Sequence, residues 1–296
     1  MDSRLRGNDG RRNAGDRSAK VKRLVVTADD FGASIEVNTA VEQAHRHGIL
    51  TAASLMVAGD AAADAVARAR VMPTLGVGLH IVLVEGRPML PPERLPALVA
   101  PDGNFRTDMA RTGARIFASP AARRQLAAEV EAQFAAFAAT GLPLDHVNAH
   151  KHYHLHPTIA GTILRVGRRF GMRSIRAPIE DRAILNAIEG GASGPRIETI
   201  WARLVRRRMR AAGMAVPDNV FGLAWSGAMT AARVRGLLDH LPDGLSEIYT
   251  HPATGPYPGA APGYDYPGEL AALTDALAPS LITRERIALG RFADFA

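Results

Sequence analysis

Short apolar runs that resemble buried strands alternate with longer segments of helical spacing along most of this chain. Residues 23–28, 52–57 and 75–82 are the first three such runs, and residues 34–47 and 60–70 form the helical segments between them. Because each helix returns the chain to the same edge, this alternation produces a parallel sheet, which usually closes into a barrel at this length. We therefore expect an α/β fold, a TIM-like (β/α) barrel that is distorted or incomplete.

Later segments continue the alternation and carry recognisable start signals. Ser34 and Asp60 are placed to cap helices, and Pro157 is placed at the first position of another. Residues 85–107 are rich in proline and glycine and too long for an ordinary connection, so we interpret them as a lid or substrate loop. The remaining predictions are helices at residues 119–141, 157–170, 197–212 and 231–241, and strands at residues 144–147, 174–176 and 245–250.

The net charge of +7 is concentrated at the amino terminus. Residues 1–23 hold eight Lys or Arg against three Asp, which leaves +2 for the rest of the chain. Residues 1–20 are polar and without periodicity, so we interpret them as a disordered basic tail or a misassigned start, and residues 21–296 as a single domain. No aromatic side chain interleaves the basic ones in the tail, so nucleic acid is not an expected partner.

The composition excludes several kinds of site and location. Apolar residues make up 47% of the chain, which excludes general disorder, and without cysteine any metal must be held by nitrogen and oxygen. No apolar run reaches the roughly 18 residues of a membrane-spanning helix, and the start has no secretory apolar stretch. We expect a cytoplasmic protein with peripheral contact to the inner face of the cell membrane.

Residues 145–157 contain five of the ten histidines. In an extended segment every second side chain projects to the same side. That set would be Asn148, His150, His152, His154 and His156. In a helical segment, His150 and His154 would instead share a face one turn apart. Both geometries can bring imidazoles together on a metal ion, for which neutral imidazole is the commonest protein ligand.

Other reactive side chains follow or end the predicted strands. They are Asp29, Asp30, His80, His150, Arg176 and His251. Because the carboxyl ends of parallel strands lie on one face, we expect these side chains to meet. Taken singly, the aspartate pair has a simpler interpretation as a solvated turn, and His80 as a hydrogen-bonded core residue. Arg176 could pair with Glu180 or Asp181.

Such residues can form a hydrolytic metal centre. One carboxylate and two imidazoles hold zinc, or a hard divalent ion such as magnesium, and leave positions open for water and substrate. The ion makes bound water a nucleophile near neutral pH and polarises a carbonyl oxygen. Because adjacent aspartates point in different directions, Asp29 and Asp30 can divide the work, one binding the ion and the other accepting a proton.

Five motifs occur in an order that resembles the YdjC-like carbohydrate deacetylases. They are Thr27-Ala28-Asp29-Asp30-Phe31-Gly32, Gly78-Leu79-His80, His146-x-Asn148-x-His150-x-His152-x-His154, Arg176-x-Pro178-x-Glu180 and Glu247-Ile248-Tyr249-Thr250-His251-Pro252. The resemblance runs from about Leu24 to the C-terminus. Within the family, the chain looks most like the hopanoid-biosynthesis-associated deacetylases, mainly through the Asn-Ala-His-Lys-His form of the central motif.

The resemblance implies a barrel related to polysaccharide deacetylases, a divalent metal, zinc or magnesium, and removal of the N-acetyl group from an N-acetylglucosamine-type sugar. By the same resemblance, the metal ligands are Asp30, His80 and His150. Asp29 is the catalytic base, His251 is the acid that protonates the leaving amine, and Arg176 orients the base or the substrate. The auxiliary residues are Asn148, His152, His154 and Glu180. Asn148 stands where many relatives carry aspartate, which removes a charge near the metal. Whether His152 or His154 replaces His150 as a ligand stays open.

The subfamily resemblance implies an N-acetylglucosaminyl hopanoid lipid as substrate. An arginine-rich segment at residues 201–210 and apolar side chains at residues 85–101 fit a lipid-linked sugar. The alternatives are a deacetylase of soluble N-acetylated oligosaccharides such as chitooligosaccharides, and a metal-dependent phosphoesterase, which needs ligands for two ions. The oligomeric state is open and includes a homodimer.

Overall fold

A computed structural model describes residues 21–190 and 196–296, so the predicted basic tail at residues 1–20 lies outside the described residues. The strands are β1 Lys22–Phe31, β2 Ala52–Leu55, β3 Gly76–Ile81, β4 Val147–Ala149, β5 Asn219–Phe221, β6 Gly244–Thr250 and β7 Ala288–Leu289. The α-helices are α1 Ile35–His47, α2 Ala62–Arg70, α3 Met109–Ala118, α4 Pro120–Ala139, α5 Pro157–Arg169, α6 Arg182–Glu189, α7 Arg196–Ala211, α8 Ala231–Asp239, α9 Tyr266–Leu273 and α10 Ala278–Arg284. Short 3-10 helices lie at Pro92–Arg94, His150–Leu155 and Phe292–Asp294.

The strands pair in parallel in the order β4-β3-β2-β1-β6-β5, with β7 against the lower part of β1. Isolated parallel bridges extend the sheet beyond β4, because Val147 pairs with Ile175 and Ser174 pairs with Ala215, shortly before β5. The sheet therefore curls into a half-barrel. The predicted α/β class is confirmed, and a distorted or incomplete TIM-like barrel is consistent with this topology.

β1 is central in the sheet and buried on both faces, as parallel strands usually are. Leu24 and Val26 pack into the layer between sheet and helices, while Val25 packs on the other side with Leu245 and Phe292. Side chains alternate along a strand, so the row that begins with Val25 continues to Asp29. The interior of the half-barrel thus changes from an apolar floor to a polar upper end.

Capping side chains and first-turn prolines mark where most of the helices begin. The Ser34 hydroxyl caps α1 by accepting from the amide of Val37 at 3.2 Å, and Pro157 occupies the first position of α5, both as predicted. The predicted cap at Asp60 is wrong, because α2 begins after Ala61 without a side-chain cap and Asp60 instead pairs with Arg87. The sequence did not predict three short elements, α3, α6 and β5.

The long connection after β3 has internal structure. It contains the 3-10 helix Pro92–Arg94 and an antiparallel bridge between Val99 and Phe105. Glu129 of α4 accepts hydrogen bonds from the amides of Met89 and Leu90 and so ties the connection to the helix layer. Elsewhere, no described helix combines the length and apolar character that crossing a membrane requires.

Candidate active site

β1 becomes irregular where it carries its two aspartates. Its register against β2 shifts between Ala28 and Phe31, and Asp30 has a φ of 62°. A non-glycine residue in this left-handed region costs on the order of 1–3 kcal/mol, and such strain is concentrated at functional sites. The irregularity separates the two carboxylates. Asp29 is buried, with 2% of its surface exposed, whereas the side chain of Asp30 is 13% exposed at the upper end of the sheet.

Asp30, His80 and His150 bring one donor atom each to a common point. Oδ1 of Asp30 lies 3.2 Å from Nε2 of His80 and 3.3 Å from Nδ1 of His150, and the two nitrogens are 3.4 Å apart. Donors held ~2.0–2.1 Å from a tetrahedral zinc ion would be about 3.3 Å from one another. Among residues 21–190 and 196–296, this is the one group of three or more such side chains whose donor atoms lie within 4.8 Å.

The chemistry of this cluster fits a cation. Oδ1 of Asp30 is buried and accepts no hydrogen bond within the described part of the chain. Burial alone would raise the pKa of Asp30, but His150 and His80 hold it well below its usual range. Burial would likewise lower the pKa of His80, whereas the carboxylates of Asp30 and Asp29 raise it overall. An anionic oxygen facing two imidazole nitrogens therefore favours a positive charge between them.

Asn148 fixes which nitrogen of His80 faces the cluster. Its Nδ2 donates to Oδ1 of Asp29 at 2.8 Å, so its own Oδ1 must face His80, where Nδ1 lies 2.7 Å away. A carbonyl oxygen can only accept, so in the neutral ring Nδ1 of His80 carries the proton and Nε2 presents its lone pair to Asp30 and His150. Such outer contacts set the tautomer of metal-binding histidines.

Arg176 joins Asp29 to Glu247, a residue that sequence reasoning missed. Its guanidinium is fully buried and binds both oxygens of Asp29, at 2.5 and 3.0 Å, and Oε1 of Glu247, at 2.6 and 3.0 Å. It also lies over the ring of Tyr249, 4.5 Å from the centroid. The signal for Glu247 was that it is the one charged residue within strand β6.

The same arginine controls the charge of Asp29. Burial alone would raise the pKa of Asp29, but the charge and hydrogen bonds of Arg176, together with the charges of His80 and His251, hold that pKa well below its usual range. Asp29 is therefore an anion at neutral pH, held in place by a bidentate contact.

Glu180 lies away from this cluster. Its Oε1 accepts hydrogen bonds from the amides of Gly222 and Leu223 at 2.9 and 2.8 Å, just after β5. The simpler interpretation, that Arg176 pairs with Glu180, does not match these contacts. Glu180 holds the loop that follows β5.

The histidine tract is neither fully extended nor regularly helical. It is extended through Ala149 and then turns into a 3-10 helix in which Lys151 and His152 have φ values of 49° and 52°. His150 therefore reaches Asp30, while His152 and His154 point to the Arg176 side of the site. Nε2 of His154 lies 2.8 Å from the carbonyl oxygen of Arg176.

Burial sets the protonation of these two histidines. It lowers the pKa of His154 to about 4 and holds that of His152 well below its usual range. Nε2 of His152 lies 3.0 Å from the hydroxyl oxygen of Tyr249. Both imidazoles are therefore uncharged at neutral pH and line the wall beside Asp29 and Arg176.

His251 follows β6 at the other side of the site. Its ring lies between the rings of Tyr249 and Tyr264, with centroids 5.7 and 5.4 Å away. Nδ1 of His251 is buried and has no hydrogen-bond partner in the described ranges. A positive charge on His251 is among the influences that lower the pKa of Asp29, so the two side chains lie within electrostatic range of each other.

A profile of the YdjC-like protein family matches residues 23–284. The chain belongs to this family. Among relatives, it is 32% identical over 264 residues to a carbohydrate deacetylase of Geobacillus stearothermophilus, covering 87% of this chain and 90% of that protein. It is 36% identical over 139 residues to a chitooligosaccharide deacetylase of Serratia marcescens, covering 47% and 53% of the two chains.

The fold of this YdjC-like chain also matches a solved structure. A putative cellobiose-phosphate cleavage protein from Enterococcus faecalis superimposes with a TM-score of 0.74 at 24% identity, over 93% of this chain and 99% of that one. This likeness shows the fold. The family match covers the aspartate pair on β1, the histidine tract and the end of β6, which are the elements that build the site.

Proposed function

We propose that this protein is a metal-dependent carbohydrate N-deacetylase that hydrolyses the acetamide of an N-acetylglucosamine-type sugar. The observation that carries the proposal is the convergence of Asp30, His80 and His150, with donor atoms 3.2–3.4 Å apart, beside the ionised Asp29. Deacetylases among the relatives support the reaction type.

The residues divide the work of hydrolysis. A divalent ion, zinc or magnesium, held by Asp30, His80 and His150 would supply a Lewis acid that activates water and polarises the acetamide oxygen. Asp29 accepts the proton that water loses as the new carbon–oxygen bond forms, and Arg176 keeps Asp29 ionised and oriented. His251 gives a proton to the leaving nitrogen as the carbon–nitrogen bond breaks, which its unpartnered Nδ1 supports.

The finer part of the proposal concerns the substrate. We infer a lipid-linked sugar, of the N-acetylglucosaminyl hopanoid type, approached at the inner face of the cell membrane. Trp201 and Leu204 on α7 are 41% and 50% exposed, and the indole of Trp201 donates to the carbonyl of Leu155 at 2.7 Å. An exposed apolar edge thus adjoins the histidine tract, and Arg203 and Arg207 flank it.

Acetate release tests both parts. Purified, metal-loaded protein is assayed with an N-acetylglucosaminyl hopanoid in vesicles and with N-acetylated chitooligosaccharide, alongside His150→Ala and, as a matched control, the surface variant His47→Ala. Release from the lipid, lost only in His150→Ala, is expected. Release from the soluble sugar alone would overturn the lipid assignment. No release from either with several metals would overturn the deacetylase, and hydrolysis of a phosphoester would replace it.

A further inference from the structure

A buried chain of polar side chains runs beneath the metal-binding cluster towards the floor of the barrel. Oδ2 of Asp145 lies 3.0 Å from Nδ1 of His146, and Nε2 of His146 lies 2.9 Å from the hydroxyl oxygen of Ser54. Nδ2 of Asn148 donates to that same hydroxyl oxygen at 2.8 Å, and Asn148 in turn contacts His80. Ser54 and His146 are fully buried and Asp145 is 7% exposed.

The surrounding residues hold these buried polar side chains in place. A Cβ on Gly78 would lie 2.5 Å from the His146 ring, and a Cβ on Gly76 would lie 2.6 Å from Oδ2 of Asp145, so β3 has glycine where these side chains pack. The ring of Phe292 stacks on His146 with centroids 4.4 Å apart. The amide of the next residue, Ala293, donates to Oδ1 of Asp145 at 2.9 Å.

Hydrogen-bond chemistry fixes the direction of every link. The carboxylate of Asp145 can only accept, so Nδ1 of His146 carries the proton and donates to it. In the neutral ring, Nε2 of His146 is then an acceptor, and the Ser54 hydroxyl, which accepts from the amide of Asn148, donates its own proton to it. At the other end, Oδ1 of Asn148 accepts from Nδ1 of His80. All links therefore run in one sense and end on a carboxylate.

We propose that Asp145, His146 and Ser54 are positioning residues that hold the amide of Asn148 and, through it, keep the proton of His80 on Nδ1. The set has the composition of a Ser-His-Asp nucleophilic triad, but a fully buried hydroxyl cannot meet a substrate. These hydrogen-bonded side chains instead keep the lone pair of His80 directed towards the cluster with Asp30. The inference rests on the metal site of the proposed function, yet it concerns the protein before any ion is bound.

Nuclear magnetic resonance of the metal-free protein tests the tautomers without any turnover. Long-range proton–nitrogen correlation spectra of histidine-labelled protein, recorded at alkaline pH above the raised pKa of His80, distinguish Nδ1–H from Nε2–H rings. Spectra of His80→Gln and His146→Gln assign the two signals. We expect Nδ1–H for both residues. An Nε2–H ring at either position, or a rapid mixture of tautomers in the wild-type protein, would overturn this proposal.

Zinc affinity tests whether the hydrogen bonds of Ser54 affect metal binding by the cluster. Ser54→Ala should weaken zinc binding about 10-fold or more, with partial loss of the His80 tautomer preference, because outer contacts of metal ligands usually contribute 10–100-fold. Ser54→Thr keeps the hydroxyl and should restore most of both. Ser246→Ala is the matched control, since Ser246 is equally buried on β6 but its hydroxyl has no partner in the described chain. Equal zinc affinities and equal His80 spectra in Ser54→Ala and Ser246→Ala would contradict the proposal.

Discussion

Two adjacent aspartates acquire different properties because the backbone between them is irregular. Asp29 is enclosed by Arg176 and Asn148, which keep it ionised, and Asp30 faces two imidazoles with an oxygen that accepts no hydrogen bond from the described residues. A regular strand would also direct neighbouring side chains to opposite faces. Here the left-handed Asp30 brings the second carboxylate back to the same end of the barrel.

Replacing Asn148 by aspartate should change the protonation of Asp29. The amide now donates to Oδ1 of Asp29 at 2.8 Å, and a carboxylate at that distance would repel Asp29 and raise its pKa. In Asn148→Asp, carboxyl-carbon magnetic resonance of the metal-free protein should therefore show Asp29 titrating at higher pH than in the wild type, by about one unit or more. Equal pKa values of Asp29 in the two proteins would contradict this account of Asp29.

His154 should make the fold acid-sensitive. Its folded pKa of about 4 lies below its usual value of 6.5, so between these pH values the unfolded chain binds more protons and stability falls as the pH falls. The loss amounts to about 3 kcal/mol at most. Urea unfolding across this window should show a flatter pH dependence for His154→Gln than for the wild type. The surface variant His240→Gln serves as control, and parallel curves for His154→Gln and wild type would show that His154 does not contribute.

Helix α7 offers a test of membrane contact. Three of its arginines, Arg206, Arg208 and Arg210, donate to carbonyl oxygens of the chain itself, so they stabilise the fold. Arg203 and Arg207 are exposed beside Leu204. The double variant Arg203→Glu, Arg207→Glu should reduce co-sedimentation with anionic phosphatidylglycerol vesicles, since each arginine near such a surface contributes about 1 kcal/mol.

The matched control for α7 is the double variant Arg123→Glu, Arg124→Glu, which reverses two exposed charges on α4. It should bind vesicles like the wild type, and both variants should keep full acetate release from soluble sugar. Equal losses of vesicle binding in the two variants would mean that total charge, and not the α7 surface, governs the contact.

Strand β3 has no room for a side chain at Gly78. An added methyl group would lie 2.5 Å from the His146 ring, which Phe292 prevents from moving aside. Gly78→Ala should therefore lower the free energy of unfolding by about 1–3 kcal/mol, the usual cost of overpacking. Gly255→Ala, whose Cβ meets no heavy atom of the described residues within 4 Å, should be close to neutral in the same denaturant experiment. Equal stabilities of the two variants would contradict the packing described here.

Elements whose ends carry a local sequence signal, such as a capping residue or a first-turn proline, were predictable, and elements without such a signal were not. Ser34 and Pro157 signal helix starts within a few residues of sequence, and both predictions are confirmed. β5 has three residues, Asn219–Phe221, too few for any periodicity to show. Asp60 had the chemistry of a cap, but a long-range partner, Arg87, takes its carboxylate.

The convergence of Asp30, His80 and His150 was predictable for a topological reason. Asp30 and His80 lie at the carboxyl ends of their parallel strands and His150 directly follows one, so the strand pattern predicts that all three share one face. The supporting residues were not, because Glu247 and Ser54 lie inside strands, and their partners depend on which strands are neighbours and in what register. The choice of His150 over His152 likewise depended on a backbone turn at Lys151 that no pattern announced.

The molecule as a whole places an apolar floor beneath a polar site. Val25, Leu245 and Phe292 close the lower end of the barrel, and polar side chains on the same inward rows lead up to the cluster at the carboxyl ends of the strands. Buried charges need partners in such an interior, and the contact of Arg176 with Asp29 and Glu247 supplies them. The fold thus keeps these buried charged groups paired directly beside the cluster of Asp30, His80 and His150.

Acetate release titrated against added metal tests the central claim most directly. Protein stripped with a chelator is given increasing equivalents of zinc, and release from an N-acetylated amino sugar is followed at each step. The cluster of Asp30, His80 and His150 predicts no release without metal and a plateau at one ion per chain. Release that persists in the metal-free protein, or that needs a second ion, would contradict it.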